Sequence, residues 1–418
     1  MKVVIINTSE RIGGAAIAAN RLMHALNNNG IHAKMLVRDK QTDDKNVITI
    51  NTSWTKKKMN YLRFVWERFI IFLNNKFSRK ALFQVSIANT GTDINNHPLV
   101  KEADIIHLHW INQGFLSLKE INKLTQLGKP LVWTMHDMWP ATGICHHSYG
   151  CDRYVQSCGC CPFLESQNKH DLSYKVLLKK QSLLGQGIEM VAVSSWLKDL
   201  AAKSTLHQNK EILTIPNLLD ISVFKPEDKI KCREEFKFPL DKKVLVMGAA
   251  NLGEPVKGFD LLNQALEHLS QKEDILLVLF GGIKNDDSFF DKIKVPYVYL
   301  GKLDNMDTIA KLYSSADVTV VPSLYETFGQ TIIESMACGC PVVSFNNSGQ
   351  TDIIDHNVNG YLAKYKDTAD FSKGIKWIID NSESLNLKEE CIKKVESSFS
   401  EQIVTAKYIS LYKKLLNR

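Results

Sequence analysis

Short apolar runs recur along this chain, each closed by a polar or glycine-rich turn and then by a stretch with helical spacing. A first series occupies residues 2–7, 32–37, 104–110, 132–135, 189–193 and 212–216, and a second occupies residues 243–248, 275–282, 296–301 and 316–323. Apolar runs of this kind, without alternation, predict strands covered on both faces, as in a parallel sheet. Strand and helix in regular succession predict a doubly wound α/β fold. Between the two series lies Ile215-Pro216-Asn217, followed by Asp220, Phe224 and Pro226, whose prolines and asparagine predict an interdomain linker. Two domains also suit 418 residues, too many for one core.

The second series ends in the most informative stretch, residues 318–362. It reads as a strand, a loop, an apolar helix opening at residues 330–337, a second short strand and a glycine-rich turn. Glu326 and Glu334 lie in it with seven residues between them. One falls in the loop and the other on the first turns of the helix, so both can face a ligand lying across the loop. Phe328 and Gly329 precede the helix, whose opening N–H groups are available to an anion. Earlier, Lys257 stands where strand 243–248 hands over to a helix, a position that suits a diphosphate, although on position alone a surface lysine is the more ordinary reading. At the amino terminus, a strand, the turn Thr8 to Ala16 with Gly13 and Gly14, and a helix to about residue 28 form the opening βαβ unit. The two glycines would let backbone approach a ligand, or would simply serve a tight turn.

Two strand ends carry imidazoles. The run at 104–110 ends in His107, His109 and Trp110, and the run at 132–135 leads into His136, Asp137 and Trp139. Ligands of open α/β sheets bind outside the carboxyl ends of strands, so this pairing favours a site. Asp137 would orient His136, or serve as a turn or cap residue.

Composition adds limits. The chain is 44% hydrophobic and 23% charged, has no low-complexity tract, and carries a net charge of +7, which suits an anionic ligand or an acidic membrane surface. No apolar run reaches the roughly 20 residues needed to cross a bilayer, and the amino terminus lacks the form of a signal peptide, so a cytosolic protein is expected. Residues 54–80 interleave eight Lys and Arg with Trp, Tyr and Phe. Such a helix either lies in a membrane interface or packs its apolar face on its own domain. Cys145, Cys151, Cys158, Cys160 and Cys161 crowd together. Cys145, Cys151, Cys158 and Cys161 would make a structural zinc site, with His146 or His147 as substitutes, or would be free thiols or disulfides.

Taken together, IPN at 215–217 with Asp220 and Phe224, Lys257-Gly258, LFG at 279–281, LYSSADVTVVPS at 312–323, ETFGQTIIE at 326–334, SMACGCPVV at 335–343 and NG at 359–360 resemble the retaining glycosyltransferase family 4, or glycosyl transferases group 1. The wording THDMWPATG with clustered cysteines resembles a bacterial subgroup that builds exopolysaccharide or surface glycans. The resemblance implies the GT-B fold, two Rossmann-like domains facing across a cleft. It implies an acceptor-binding domain over residues 1–215 with a Cys-rich insertion at 145–161, a sugar-nucleotide domain over 216–398, and a last helix, 399–418, crossing back to the first domain. It implies a UDP- or GDP-sugar donor, a glycan or lipid-linked acceptor and no catalytic metal; the basic aromatic helix points to peripheral contact with the inner membrane, and basic residues without a recognised motif argue against nucleic acid.

On matching positions, Glu334 would hold the ribose, and Glu326 and His109 would stand at the reaction centre. Phe328, Gly329, Gln330 and Thr331 would bind sugar and phosphate through their backbone, Lys257 would hold the diphosphate, and Gly13 and Gly14 would close on it. Trp110, His136 and Asp137 are the acceptor candidates. Where the family has an arginine, this chain has Asn251, so one phosphate cation is missing and Arg11 is a substitute. Glu326 is either a nucleophile, as in two-carboxylate glycosidases, or a positioning group for same-face attack, the favoured reading. An epimerase or phosphorylase on the same fold, and a non-catalytic glycan-binding homologue, are the alternatives.

Overall fold

Thirteen strands form in the computed structural model, which describes every residue except 167, 184–186, 209, 271, 284–288 and 418. They are β1 (Lys2–Ser9), β2 (His32–Asp39), β3 (Val47–Thr49), β4 (Ile105–Leu108), β5 (Leu131–Met135), β6 (Ile188–Ala192), β7 (Ile212–Thr214), β8 (Lys243–Asn251), β9 (Ile275–Gly282), β10 (Tyr297–Tyr299), β11 (Val318–Val321), β12 (Val342–Phe345) and β13 (Gly360–Ala363). The first seven make one parallel sheet in the order β3-β2-β1-β4-β5-β6-β7. The other six make a second parallel sheet in the order β10-β9-β8-β11-β12-β13. These are the two Rossmann-like α/β domains expected.

Burial explains why the strands lack alternation. Val3, Val4, Ile5 and Ile6 are at most 2% exposed, and Val244, Leu245 and Val246 are fully buried. Helices cover both faces of a parallel sheet, so consecutive side chains are all taken from water, at about 1.5–3 kcal/mol for each large aliphatic group. In the second sheet the core gathers Leu245 and Met247 of β8, Leu277 and Leu279 of β9, Val318 and Val320 of β11, and Phe345 of β12 against Leu262, Phe371 and Ile375.

The chain divides into two compact units, Met1–Pro216 with Thr405–Arg418, and Asn217–Val404. The last helix, Glu401–Leu416, therefore delivers its later turns to the first unit. There the Tyr412 hydroxyl lies 2.7 Å from Nδ1 of His107, and the Tyr408 hydroxyl lies 3.0 Å from Oγ1 of Thr134.

In each sheet the strand order reverses beside the first strand of the series. β1 lies between β2 and β4, and β8 lies between β9 and β11. At such switch points neighbouring loops part in opposite directions and leave a crevice at the carboxyl ends of the strands. His109 follows β4, and the Glu326 loop follows β11.

The helix Trp54–Asn74 differs from the reading in which its apolar face packs inward. Its buried residues are Asn60, Glu67, Arg68 and Ile71, while its aromatic residues point mostly outward.

Candidate active site

In the second unit, β8 ends at Asn251, and a short turn, Pro255–Lys257, leads to Gly258 and the helix Phe259–Glu267. Gly258 has φ +70°, and a Cβ there would stand 2.0 Å from the carbonyl oxygen of Pro322. Only glycine lets this turn lie against the strand end of β11. The close approach carries Lys257 to Glu326, and Nζ donates to Oε1 at 2.7 Å. The two side chains are 28% and 16% exposed, so the pair keeps a face toward solvent.

The Glu326 loop is clamped from behind by residues 347–349, which pattern reading did not single out. The Glu326 N–H donates to Oγ of Ser348 at 3.0 Å, the Gly349 N–H donates to the Glu326 carbonyl at 2.7 Å, and Asn347 Nδ2 donates to the Leu324 carbonyl at 2.7 Å. A Cβ at Gly349 would meet the Thr327 carbonyl oxygen at 2.3 Å. The signal available in the sequence was the Asn-Ser-Gly that follows strand β12.

Past this loop the helix Gln330–Ala337 begins at Gly329, whose φ is +120° and which supplies no side-chain cap. Its first N–H groups and the positive end of its dipole are suited to an anion. Glu334 lies on the second turn and is half-buried. Phe328 is buried with its ring edge-on to Phe399, so only its backbone is available to a ligand. Asn251 closes β8 and is bonded within its own turn. Its Nδ2 donates to Glu254 and its Oδ1 accepts from the Gly253 N–H, so both ends of the amide serve its own turn.

In the first unit, the strand ends of β4 and β5 bring His109 and His136 together, with Nδ1 of His109 2.8 Å from Nε2 of His136. Nε2 of His109 is buried and meets no hydrogen-bond partner. Burial, reinforced by the neighbouring imidazoles, pushes the His109 pKa well below its ordinary value. Burial takes His136 down to about 4, against the opposing field of Asp137, and takes His107 to about 3. All three rings are therefore neutral at neutral pH.

Asp137 does not bond His136. Its Oδ2 accepts from Trp110 Nε1 at 2.8 Å and pairs with His146 Nδ1 at 2.7 Å, while Oδ1 accepts from the Trp139 N–H. Burial alone would raise this carboxyl, but His146, His147 and the Trp139 N–H hold it near 2. His146 in turn reaches Oγ of Ser86 through Nε2. Asp137 thus fixes the Trp110 indole and the His146 imidazole rather than His136. Trp110 is also held through its backbone by Asn7 and Thr8 at the end of β1.

Gly13 caps the helix Gly14–Asn28 at φ +90°, a conformation that favours glycine. A Cβ at Gly13 or Gly14 would meet nothing within 4 Å, so the loop surface is open.

The clustered cysteines lie in the first unit. Cys145, Cys151, Cys158 and Cys161 line one small cavity, yet among the described residues no three His, Cys, Asp or Glu side chains form a group that could hold a metal ion. No cysteine among the described residues is in a disulfide. Burial raises the Cys145 pKa strongly and pushes Cys161 up to about 12. His146 is already engaged by Asp137 and Ser86.

Residues 228–397 match the family model described as Glycosyl transferases group 1. The chain is 26% identical to N-acetyl-alpha-D-glucosaminyl L-malate synthase of Bacillus anthracis over 210 residues, 49% of this chain and 54% of that protein. It thus spans about half the length of that curated relative. Among solved structures, it is similar to sucrose-phosphate synthase from Thermosynechococcus elongatus, with TM-score 0.69 and 18% identity over 100% of this chain and 99% of that one. It is also similar to the Anabaena protein HepE in complex with UDP and glucose, with TM-score 0.66 and 16% identity over 99% of this chain and 100% of that one. Both likenesses are of fold. The segment that matches this family model carries Lys257, Glu326 and Glu334, and it stands in a chain of two parallel-sheet Rossmann-like domains.

Proposed function

We propose that this chain moves a hexosyl group from a nucleotide-sugar donor to a glycan or lipid-linked acceptor with retention of configuration, as a step in polysaccharide assembly. The observation that carries the reading is the Lys257–Glu326 pair at 2.7 Å, set at the switch point of the second sheet near the uncapped start of the helix Gln330–Ala337. Asn217–Val404 is read as the donor-binding unit and Met1–Pro216 as the acceptor-binding unit. The complex of HepE with UDP and glucose supports a uridine nucleotide as the first donor to test.

In this reading the anomeric C–O bond to the diphosphate breaks and negative charge develops on the leaving phosphate. Lys257 and the opening N–H groups of the helix stabilise that charge. The acceptor hydroxyl attacks from the same face and gives its proton to the leaving phosphate oxygen. Glu326 positions the sugar and Lys257; a carboxylate already bonded to an ammonium is a poorer nucleophile than an unpaired one. Glu334 holds the ribose. The residues named need no metal for this step.

A panel of UDP- and GDP-sugars, scored for hydrolysis and for transfer, tests the reading. Release of nucleoside diphosphate from one donor, abolished in Glu326→Gln and Lys257→Ala, is expected. Donor binding without turnover across the panel would favour a glycan-binding homologue. Interconversion of the free donor sugar would favour an epimerase.

A further inference from the structure

The helix Trp54–Asn74 is turned inside out. At about 100° per residue, Trp54, Tyr61, Leu62, Val65, Trp66 and Phe69 share an arc of roughly 140°. All six are exposed; Tyr61 is 64%, Trp66 51% and Phe69 46% accessible. Roughly opposite lie Asn60, Glu67 and Ile71, which are buried. An ordinary surface helix puts its apolar stripe on the core and its charges in water. Here the core side carries the ion pair and the water side carries the aromatics.

The orientation is locked. Oε1 of Glu67 accepts from the N–H groups of Ile87 and Ala88, both at 2.8 Å. Arg68 donates to the carbonyls of Leu82 and Val85 and to Oγ of Ser86, and it pairs with Glu67 at 3.0 Å. Asn60 Nδ2 donates to Asn51, and Arg63 donates to Thr92. Rolling the helix to bury its aromatics would strip a buried carboxylate and a buried guanidinium of these partners, at a cost of several kcal/mol. The apolar arc therefore stays outward in the folded chain.

Charge selects what covers it. From residue 46 to residue 92 the chain has eight Lys and Arg and one carboxylate, Glu67, which is buried. Lys56, Lys57 and Lys58 are exposed at one end of the helix and Lys76, Arg79 and Lys80 just past the other, Lys80 within 3.5 Å of Glu165. A second copy of the same face would set lysine against lysine. An anionic bilayer surface answers both features, since aromatic rings settle at the headgroup boundary and lysines meet the acidic lipids. No helix among the described residues is long and apolar enough to cross a membrane.

We infer that the helix Trp54–Asn74 is an interfacial anchor that seats the first unit on an anionic lipid surface. The inference does not rest on the proposed sugar transfer, and its readout needs no donor. The experiment is flotation of the full chain with phosphatidylcholine vesicles, with and without 30% phosphatidylglycerol, in low and in high salt. Wild type is expected to float with the anionic vesicles only and to be released by salt. At roughly fivefold per cation near an acidic surface, the triple variant Lys56→Glu, Lys57→Glu, Lys58→Glu should lose about 100-fold or more in partitioning. Trp66→Glu with Phe69→Glu should also stay in solution, with the far-ultraviolet circular dichroism and melting temperature of wild type. Wild type remaining unbound to anionic vesicles would overturn the inference, as would equal binding to neutral vesicles. Sedimentation showing a dimer that Trp66→Glu with Phe69→Glu dissociates, without vesicle binding, would assign the face to a second copy instead.

Discussion

Replacing Lys257 by alanine separates a binding role from a structural one. In the folded chain Nζ lies 2.7 Å from Oε1 of Glu326, with side chains 28% and 16% exposed. Partial exposure screens the pair, so its loss should cost the second unit only about 1 kcal/mol. For a unit of that size, about 1 kcal/mol lowers the melting temperature by roughly 2–4 °C. The catalytic cost should be much larger. Removing one preorganised group that meets developing charge in a transition state costs about 100- to 1,000-fold in turnover, or about 2.7–4 kcal/mol. The assay is steady-state release of nucleoside diphosphate by the full chain, with a melt of the same sample. Lys257→Arg keeps the charge but not the point geometry, and should recover part of the loss. Turnover by Lys257→Ala within about threefold of wild type would refute the phosphate role. A melting temperature lowered by more than about 10 °C would show that the lysine holds the fold instead.

Gly258→Ala should destabilise the second unit by at least about 2 kcal/mol, since the left-handed backbone alone costs about 1–2 kcal/mol and the new Cβ would stand 2.0 Å from the Pro322 carbonyl oxygen; an unchanged urea midpoint would refute this. Asp317 binds Lys229, Arg233 and the Val244 N–H, each at 2.6 Å, and Asp317→Asn should cost about 3 kcal/mol because Arg233 is left buried without its counter-ion. Burial pushes the Asp317 pKa up, but Lys229, the Val244 N–H and Arg233 together bring it below the ordinary value. Its contribution is thus present above about pH 3.9, the unfolded value, and is lost as pH falls through the folded one, which acid titration of urea midpoints in wild type and Asp317→Asn would detect. In the first unit the lowered histidine values act at higher pH. The unfolded chain takes up protons below about 6.5 while His136 stays neutral to about 4, so stability should fall as pH drops through that window, and His136→Gln should flatten the dependence measured by melts from pH 7.5 to 4.5.

Much of the site was legible before any coordinates. Lys257 and Glu326 are 69 residues apart in sequence, yet each stood at the end of a predicted strand, and strand ends converge when the sheet is parallel. His109 and His136 were legible for the same reason. The partners of these groups were not. Asp137 was read beside His136, its neighbour in sequence, but its carboxylate goes to Trp110 and His146 across the turn. Asn251 stood where the resemblance expects an arginine, and its amide bonds within its own turn. The cysteine spacing did not show how deeply Cys145 and Cys161 would be buried.

The amino-acid sequence by itself determined the alternation of strand and helix, the two parallel sheets and the carboxylates and lysine that mark the switch point, because these follow from local periodicity and from the obligatory placement of strand ends. Tertiary structure alone decided which way each face turns. The helix Trp54–Asn74 has an amphipathic pattern that fits either orientation. Hydrogen bonds that Glu67 accepts from backbone N–H groups and Arg68 donates to backbone carbonyls, up to 21 residues away, chose the one that leaves its aromatics in water. The clamp of residues 347–349 on the Glu326 loop arises in the same way, from backbone groups that meet only once the second sheet has closed.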